Sequence, residues 1–368
     1  MAANCPEGIV GSLPDCIVTE ILARLPMKSI LRAKSVCKHW HKLISDEYFA
    51  LRNAQVSVRN SMVMIDVTGT SLKFLDGLGG MSQLSLDFLE TEVFVRDSHN
   101  GLLCCSTFAG EGERVDYYVC NPITRQHMQL PYIGVHAGLV NLACDSSGRK
   151  FNVALTGHVC GENDEAEGTA GCWVFDSESN TWEKFIYQLH DHYEFSMISQ
   201  TGAVFVNGAI HWITHASPAI LLVLDLSRNF WSEMMLPDEI LQGQDSVFYF
   251  LECEGCLSVI EISDSWMVTW VLEDYDNDVW YMLDRVSLHW QTLLRMDTSG
   301  LEINPVSQTR QDLILSIGEC MFVYHRNSRV WKLMYKMDDY GLTDLLSYTE
   351  FPFRATLLPC CQIDDQHH

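Results

Sequence analysis

The chain has 368 residues, 47% of them apolar, and a formal net charge of −24 at neutral pH. This is enough apolar material for two or three ordinary domains or for one large repeat array with a real core. No run of about 18 apolar residues occurs, and the first nine residues lack the layout of a signal peptide, so we expect neither a membrane span nor secretion. We therefore expect a protein of the cytoplasm, the nucleus or both.

The charge is unevenly distributed along the chain. Residues 1–52 carry seven Lys and Arg against five Asp and Glu, whereas the remainder carries 17 against 43. An acidic body repels phosphate backbones and anionic lipids, so the composition argues against nucleic-acid and membrane binding. A neutral or basic partner fits it better.

The fourteen cysteines are scattered, and several lie inside apolar runs. In a reducing compartment such residues behave as small core hydrophobes, so we expect free thiols.

The first fifty residues predict three short helices. Ser12 and Asp15 resemble a capping box with Pro14 in the first turn, and Pro26 ends the first helix. Its apolar stripe consists of Ile17, Val18, Ile21, Leu22 and Leu25. Further apolar residues recur at spacings of three and four up to Ile44, as in amphipathic helices. Such a small module has little core of its own, which predicts that it needs a partner.

From about Val56 the pattern changes to short β-like runs separated by turn residues, with a repeat in them. In each unit a polar residue ends an apolar strand, and a bulky residue follows six positions later. The pairs are Asp66 and Leu72, Asn121 and His127, Asp176 and Trp182, Asp225 and Trp231, Asp274 and Trp280, and His325 and Trp331. Successive polar residues lie 49 to 55 positions apart, the period of a four-stranded, kelch-sized propeller blade.

Glycine-led apolar strands about twenty residues earlier, at Gly101, Gly208 and Gly255, supply the other half of a blade. The units predict a β-propeller of about six four-stranded blades, with seven as the alternative. Residues 354–358 are predicted to return as a strand that closes the ring. The acidic stretch 161–168 is predicted to be a surface loop.

Several other motifs are better explained by ordinary structural roles than by a binding or catalytic site. Cys253 and Cys256 form a CxxC without a second half, which favours a hairpin turn over a metal or redox site. The histidine pairs His190/His192 and His367/His368 lack metal-ligand spacing, and residues 77–80 fit an inter-strand loop better than a phosphate cradle. The repeated tryptophans fit blade packing better than a ligand-binding ring. No pair of carboxylates is marked as catalytic, so we expect no enzyme, cofactor or metal.

The N-terminal residues resemble an F-box. The resemblance rests on Leu13-Pro14-Asp15, on Arg24-Leu25-Pro26 and on the Val36-Cys37-Lys38-His39-Trp40 motif. The β-rich remainder of the chain resembles the F-box-associated domain of plant F-box proteins, through segments such as Ser98–Cys104, Cys120–Arg125 and Phe205–Trp212. The implied organisation is a tail (1–11), a small all-α F-box module (12–53), a propeller (54–360) and a second tail (361–368).

The resemblance implies that the module docks on the Skp adaptor of an SCF (cullin-RING) ubiquitin ligase. The positions implied to contact the adaptor are Leu13, Pro14, Ile17, Ile21, Leu22, Leu25, Pro26, Leu31, Val36, Cys37 and Trp40. Docking of an apolar helical stripe in a groove is consistent with the sparse core. Sequence alone does not divide these positions between the adaptor face and the module's own core.

The function implied is that of a substrate receptor, in which the propeller holds a target protein and partner subunits transfer ubiquitin to it. The rivals are a propeller enzyme, a receptor for a glycan or small ligand, and an adaptor-bound protein that acts outside degradation. The sequence identifies no substrate-binding residue and does not say which face of the propeller binds the target.

Overall fold

The computed structural model describes residues 13–56, 62–66, 71–75, 81–107, 114–134, 137–145, 150–158, 169–188, 203–213, 220–236, 240, 246–263, 265–288, 303–318, 320–336 and 349–360. Ser12, residues 77–80, the acidic stretch 161–168 and the histidine pairs lie outside them.

Four helices form the N-terminal module: α1 (Asp15–Ala23), α2 (Met27–Ala33), α3 (Lys38–Ile44) and α4 (Glu47–Val56). Pro14 and Pro26 immediately precede α1 and α2, where a missing backbone N–H costs nothing. Among the described residues, no helix is long and apolar enough to cross a membrane. The expectation of three helices was wrong, because α4 continues the helical module to Val56, where strands were expected to begin.

The module has a small core of its own. Val18, Leu22, Ala23, Ile30, Ala33, Ile44 and Phe49 are buried together. Leu25, Trp40 and Leu43 pack against them, and so does Leu357 from the other end of the chain. The C-terminal part of the chain therefore contributes Leu357 to the small core of the module.

The body consists of twenty-four described strands. They are β1 (Met62–Asp66), β2 (Ser71–Leu75), β3 (Met81–Ser85), β4 (Val93–His99), β5 (Leu102–Thr107), β6 (Tyr117–Asn121), β7 (Gln126–Gln129), β8 (Leu139–Cys144), β9 (Phe151–His158), β10 (Thr169–Asp176), β11 (Thr181–Gln188), β12 (Val204–Val206), β13 (Ala209–Ile213), β14 (Ile220–Asp225), β15 (Phe230–Met235), β16 (Val247–Cys253), β17 (Cys256–Ile262), β18 (Trp266–Asp274), β19 (Val279–Ser287), β20 (Ile303–Gln308), β21 (Asp312–Ile317), β22 (Cys320–His325), β23 (Val330–Lys336) and β24 (Thr349–Phe353). A short 3-10 helix, Asp87–Leu89, precedes β4.

These strands form antiparallel four-stranded sheets in a ring. Five sheets are blades of four consecutive strands: sheet 2 (β4–β7), sheet 3 (β8–β11), sheet 4 (β12–β15), sheet 5 (β16–β19) and sheet 6 (β20–β23). The remaining sheet, sheet 1, joins β24 to β1, β2 and β3. The described strands form no seventh sheet, so the seven-bladed alternative finds no support in them.

The inner strands hold the ring together. β24 contacts β4, β4 contacts β8, β12 contacts β16, β16 contacts β20, and β20 contacts β24. Sheets 3 and 4 share a buried cluster around Trp212. The strand that closes sheet 1 is β24, from Thr349 to Phe353, and not residues 354–358 as predicted. Residues 354–358 form no strand. They are buried or half-buried, and two of their carbonyl groups accept hydrogen bonds from the Asn121 side chain of sheet 2.

The repeated motif corresponds to one type of hairpin. In sheets 2 to 6 the polar residue ends the third strand, and four turn residues lead to the fourth. In sheets 2 to 5 the side-chain oxygen of this Asn or Asp accepts two turn N–H groups. The last turn residue has positive φ in each of the five hairpins. The Asp66 unit was predicted to be equivalent to the other five, and this was wrong. Its hairpin joins the second and third strands of sheet 1 instead of the third and fourth.

The tryptophans of the motif are the second residues of outer strands and are half-buried. Trp182 packs on Phe175 at 5.3 Å between ring centroids, and Trp331 packs on Tyr324 at 4.7 Å. The Nε1 of Trp182 also donates to the carbonyl of Pro131, in the connection that follows sheet 2, at 2.7 Å. The tryptophans thus pack the sheets, as predicted. The predicted hairpin at Cys253 and Cys256 is also present, with Glu254 and Gly255 at positive φ. None of the described cysteines is in a disulfide.

Residues 354–360, which we call the C-terminal segment, link the propeller to the helical module. Asn121 of sheet 2 donates through Nδ2 to the carbonyls of Thr356 (3.0 Å) and Leu358 (2.7 Å). Leu358 is buried against Ala50 and Ala54 of α4. The helices therefore lie at the end of the ring where the inner strands finish, which we call the module end.

Gly101 provides a test of this packing. It has φ +85°, and a Cβ atom there would meet Thr356 Oγ1 and lie 2.6 Å from the carbonyl oxygen of Arg354. Gly101→Ala should therefore cost at least about 2 kcal/mol, from left-handed strain plus displacement of the C-terminal segment. Gly255→Ala is the matched control, because Gly255 has φ +87° in the equivalent turn with nothing within 4 Å. Equal losses in denaturant unfolding of the two variants would contradict this role for the segment.

Candidate functional site

Five apolar side chains of the helical module are exposed, and we call this set the exposed apolar face. It consists of Leu13 (39% exposed), Ile17 (44%), Ile21 (52%), Leu31 (42%) and Val36 (57%). Ile17 and Ile21 are one helical turn apart on α1, whereas Val18 and Leu22 point into the core. Single exposed hydrophobic residues are ordinary, but five within 24 positions of a small module indicate a protein-binding surface.

The structure divides the predicted adaptor-binding positions into three groups. Pro14 and Pro26 are exposed along with the five residues of the exposed apolar face. Leu25, Cys37 and Trp40 are half-buried, and Leu25 and Trp40 pack on the module core. Leu22 is 2% exposed and belongs to that core. Leu22 is thus unavailable to a partner in this conformation.

Polar contacts fix the orientation of α1 beneath this face. Glu20 accepts hydrogen bonds from Arg52 of α4 and from Arg24, and these bonds lower the pKa of Glu20 to about 2. His39 Nε2 lies 2.9 Å from Asp15 Oδ1, and Asn53 Nδ2 donates to the carbonyl of Ala23. Cys37 Sγ accepts from the backbone N–H of Trp40 at the start of α3. These contacts hold α1, which carries Ile17 and Ile21, against α3 and α4.

Sequence reasoning missed one exposed aromatic residue of the module. Tyr48, near the start of α4, is 63% exposed. The run Tyr48-Phe49-Ala50-Leu51 is the sequence signal for it, because it extends the apolar pattern of the helices beyond Ile44.

The centre of the ring holds several titratable side chains, which bear on the rival of a propeller enzyme. Asp97 Oδ2 accepts the backbone N–H of Leu142 at 2.6 Å, and His99 Nδ1 accepts that of Cys144 at 2.9 Å. Burial raises the pKa of Asp97 to about 6 and lowers that of His99 to about 4. Both side chains thus tie β4 to β8. Within the described residues, no three His, Cys, Asp or Glu side chains come together as metal ligands.

Glu350 of β24 gives a pH-dependent prediction. Burial raises its pKa from 4.5 to about 7, although it hydrogen-bonds Ser316. The folded state thus binds a proton more tightly than the unfolded state, so stability rises as the pH falls from about 8 toward 5. Glu350→Gln should add about 1–3 kcal/mol at about pH 8 and nothing near pH 4. Chemical denaturation across this range is the measurement, with the exposed Glu92→Gln as control. A gain that is the same at both ends of the range would contradict it.

Comparisons with known proteins identify both parts of the chain. Residues 11–52 match the F-box domain, and residues 53–349 match the F-box associated beta propeller domain. The chain belongs to the family of F-box proteins with an F-box-associated β-propeller. The F-box protein At5g49610 of Arabidopsis thaliana is 40% identical over 361 residues, covering 94% of this chain and 97% of the relative. The F-box protein At3g26010 of the same plant is 30% identical over 251 residues, covering 64% and 58%.

The F-box match relates the helical module to a known class of protein-binding domain. F-box domains generally bind Skp-type adaptors in SCF complexes. Members of this family are generally substrate adaptors, and neither matched domain is a catalytic one.

Proposed function

We propose that this F-box protein is the substrate-recognition subunit of an SCF ubiquitin ligase, acting in the cytoplasm, the nucleus or both. Its exposed apolar face docks on a Skp-type adaptor, and through it on the cullin and RING subunits. The propeller holds a target protein. The chain itself is not catalytic and requires no cofactor, because ubiquitin is transferred by its partners.

The observation that carries this proposal is the exposure of Leu13, Ile17, Ile21, Leu31 and Val36 together on the F-box module. A helix that lays its apolar residues into a partner's groove presents them at spacings of three and four, as Ile17 and Ile21 of α1 do. Burying an Ile or Leu side chain contributes about 1.5–3 kcal/mol. The five side chains thus supply enough apolar surface for a stable complex.

Co-expression with a Skp-type adaptor tests this proposal. The full chain should co-purify with the adaptor in equal amounts through affinity and size-exclusion steps. A folded chain that does not co-purify with the adaptor would overturn the proposal.

The topology supports a location for the target. The inner strands run parallel and finish at the module end, as the pairs Asp97–Leu142 and His99–Cys144 show for β4 and β8. Connections at the module end have at most six residues. All seven connections of nine or more residues join strands at the opposite end, which we call the far end. Long connections are where binding residues concentrate, so we place the target at the far end.

Two aromatic residues at the far end are suited to anchor a partner. Tyr132 is 55% exposed, with the Arg114 guanidinium 4.4 Å from its ring centroid. Trp266 is 41% exposed, with Arg285 at 4.2 Å. Trp, Tyr and Arg are the residues most enriched at energetically dominant interface positions.

Affinity purification with quantitative mass spectrometry, under inhibition of cullin activation, tests this placement. The double variant Tyr132→Ala, Trp266→Ala should retain the adaptor and lose the proteins that the wild type enriches. The control Phe230→Ala, Val330→Ala changes exposed residues at the module end of outer strands. Loss of the same proteins from the control, with the far-end variant unaffected, would contradict the placement.

A further inference from the structure

The outer strand of sheet 5 differs from the other outer strands. β19 has nine residues and contains the uncharged run Val279-Trp280-Tyr281-Met282-Leu283. It is the last strand in the order β16-β17-β18-β19, so its outer edge pairs with no strand of the described part of the chain. Val279 is 47% exposed and Met282 is 50% exposed. The first half of this edge is therefore apolar, and Asp284 and Arg285 follow it. An apolar edge presents unpaired backbone groups to any extended chain that approaches.

Most other outer strands carry features that discourage such pairing, and the uncharged β3 has only five residues. β11 has Lys184, β15 has Glu233, and β7 has only four residues. β23 resembles β19 most closely, since Val330 (51% exposed) and Leu333 (49%) match Val279 and Met282 in position and exposure. However, Lys332 stands in β23 where Tyr281 stands in β19. Lysine on an edge strand is a common protection against pairing.

The charges around the two edges are opposite in sign. Glu273, Asp276 and Asp278 are exposed at or beside the turn before β19. The arginines near β19 are already engaged, with Arg285 over Trp266 and Arg310 over Tyr281 and 3.8 Å from Glu254. The β23 edge instead carries the exposed Arg329 and Lys332. An acidic edge and a basic edge of the same shape therefore lie on neighbouring sheets.

We propose that the β19 edge is a docking site for an extended, basic segment of a partner protein, which adds to sheet 5 as a fifth strand. Backbone hydrogen bonds supply the sequence-independent part of the affinity, and apolar side chains on opposite faces of the segment contact Val279 and Met282. Lysine or arginine residues of the segment meet the carboxylates beside the turn. A second copy of this chain is disfavoured as the occupant, because both copies carry a net charge of −24. The site is separate from the exposed apolar face, so its test does not depend on adaptor binding.

The experiment uses a fluorescent peptide of about nine residues, the length of a long strand, with alternating valine and threonine and lysines at both ends. Anisotropy titration of the full chain should show saturable binding. The double variant Val279→Lys, Met282→Lys should weaken it at least about tenfold, because it places two like charges against the probe. The matched double variant Val330→Lys, Leu333→Lys should leave it unchanged. A probe N-methylated at alternate residues should not bind, because it cannot donate the backbone hydrogen bonds.

Both double variants alter exposed positions, so thermal melts should match that of the wild type and exclude misfolding as the cause. No binding of the probe would overturn the proposal. So would equal loss in the two double variants, or full binding of the N-methylated probe, which would indicate charge attraction alone. Sedimentation that showed self-association through β19 would also overturn it.

Discussion

Replacing Ile17 and Ile21 together by aspartate is expected to lower the affinity for a Skp-type adaptor at least about a hundredfold, since each buried side chain contributes about 1.5–3 kcal/mol. Both residues are about half exposed in the free chain, so its stability should hardly change. Isothermal titration of adaptor into the full chain is the measurement, together with a thermal melt of each variant.

Two controls make this result specific. Phe230→Asp changes a residue that is 63% exposed but lies on the propeller, and it should bind adaptor normally. Leu22→Asp places a charge in the module core, so it should lose binding and stability together. Unchanged affinity in the Ile17, Ile21 variant would show that the adaptor does not use α1. For this purpose α1 positions are better than Leu25 or Trp40, which pack on the core.

Leu358→Asp is expected to destabilise the chain by at least about 3 kcal/mol and to uncouple the F-box module from the propeller. Leu358, in the C-terminal segment, is 1% exposed and is buried against Ala50 and Ala54 of α4. A carboxylate there loses its water without gaining a partner. Scanning calorimetry should resolve two transitions in the variant where the wild type shows one.

The matched control for this prediction is Leu333→Asp, at a position that is 49% exposed on β23. It should keep the single transition and nearly the wild-type midpoint. A Leu358→Asp variant that still melted in one transition would mean that the C-terminal segment does not couple the two parts. In the proposed ligase complex, the spacing between a held target and the other subunits would depend on this coupling.

The sequence was most informative where local chemistry is strict. The hairpin motif that ends in Asn121, Asp176, Asp225 or Asp274 was visible because a side-chain acceptor and a left-handed residue are both required by the same four-residue turn. The Gly101, Gly208 and Gly255 turns were visible for a related reason, since positive φ favours glycine. These local rules place most hairpins correctly.

Features that depend on long-range packing were not visible. The sequence suggested a returning strand, but its location shifted from residues 354–358 to Thr349–Phe353, because the pairing partner Met62–Asp66 is nearly 300 residues away. The division of the F-box residues also required the structure. Ile21 and Leu22 are adjacent in the same apolar stripe, yet one is 52% exposed and the other 2%. Which of them faces inward is set by α4 and by Leu357, whose positions no local pattern gives.

The measurement that tests the substrate-receptor account most directly is sedimentation velocity on the purified full chain mixed with Skp-type adaptor, cullin and RING subunits. The account predicts one assembly that contains a single copy of each subunit, and loss of only this chain from it in the Ile17→Asp, Ile21→Asp variant. A wild-type chain that sediments alone while the other three subunits assemble without it would contradict the account.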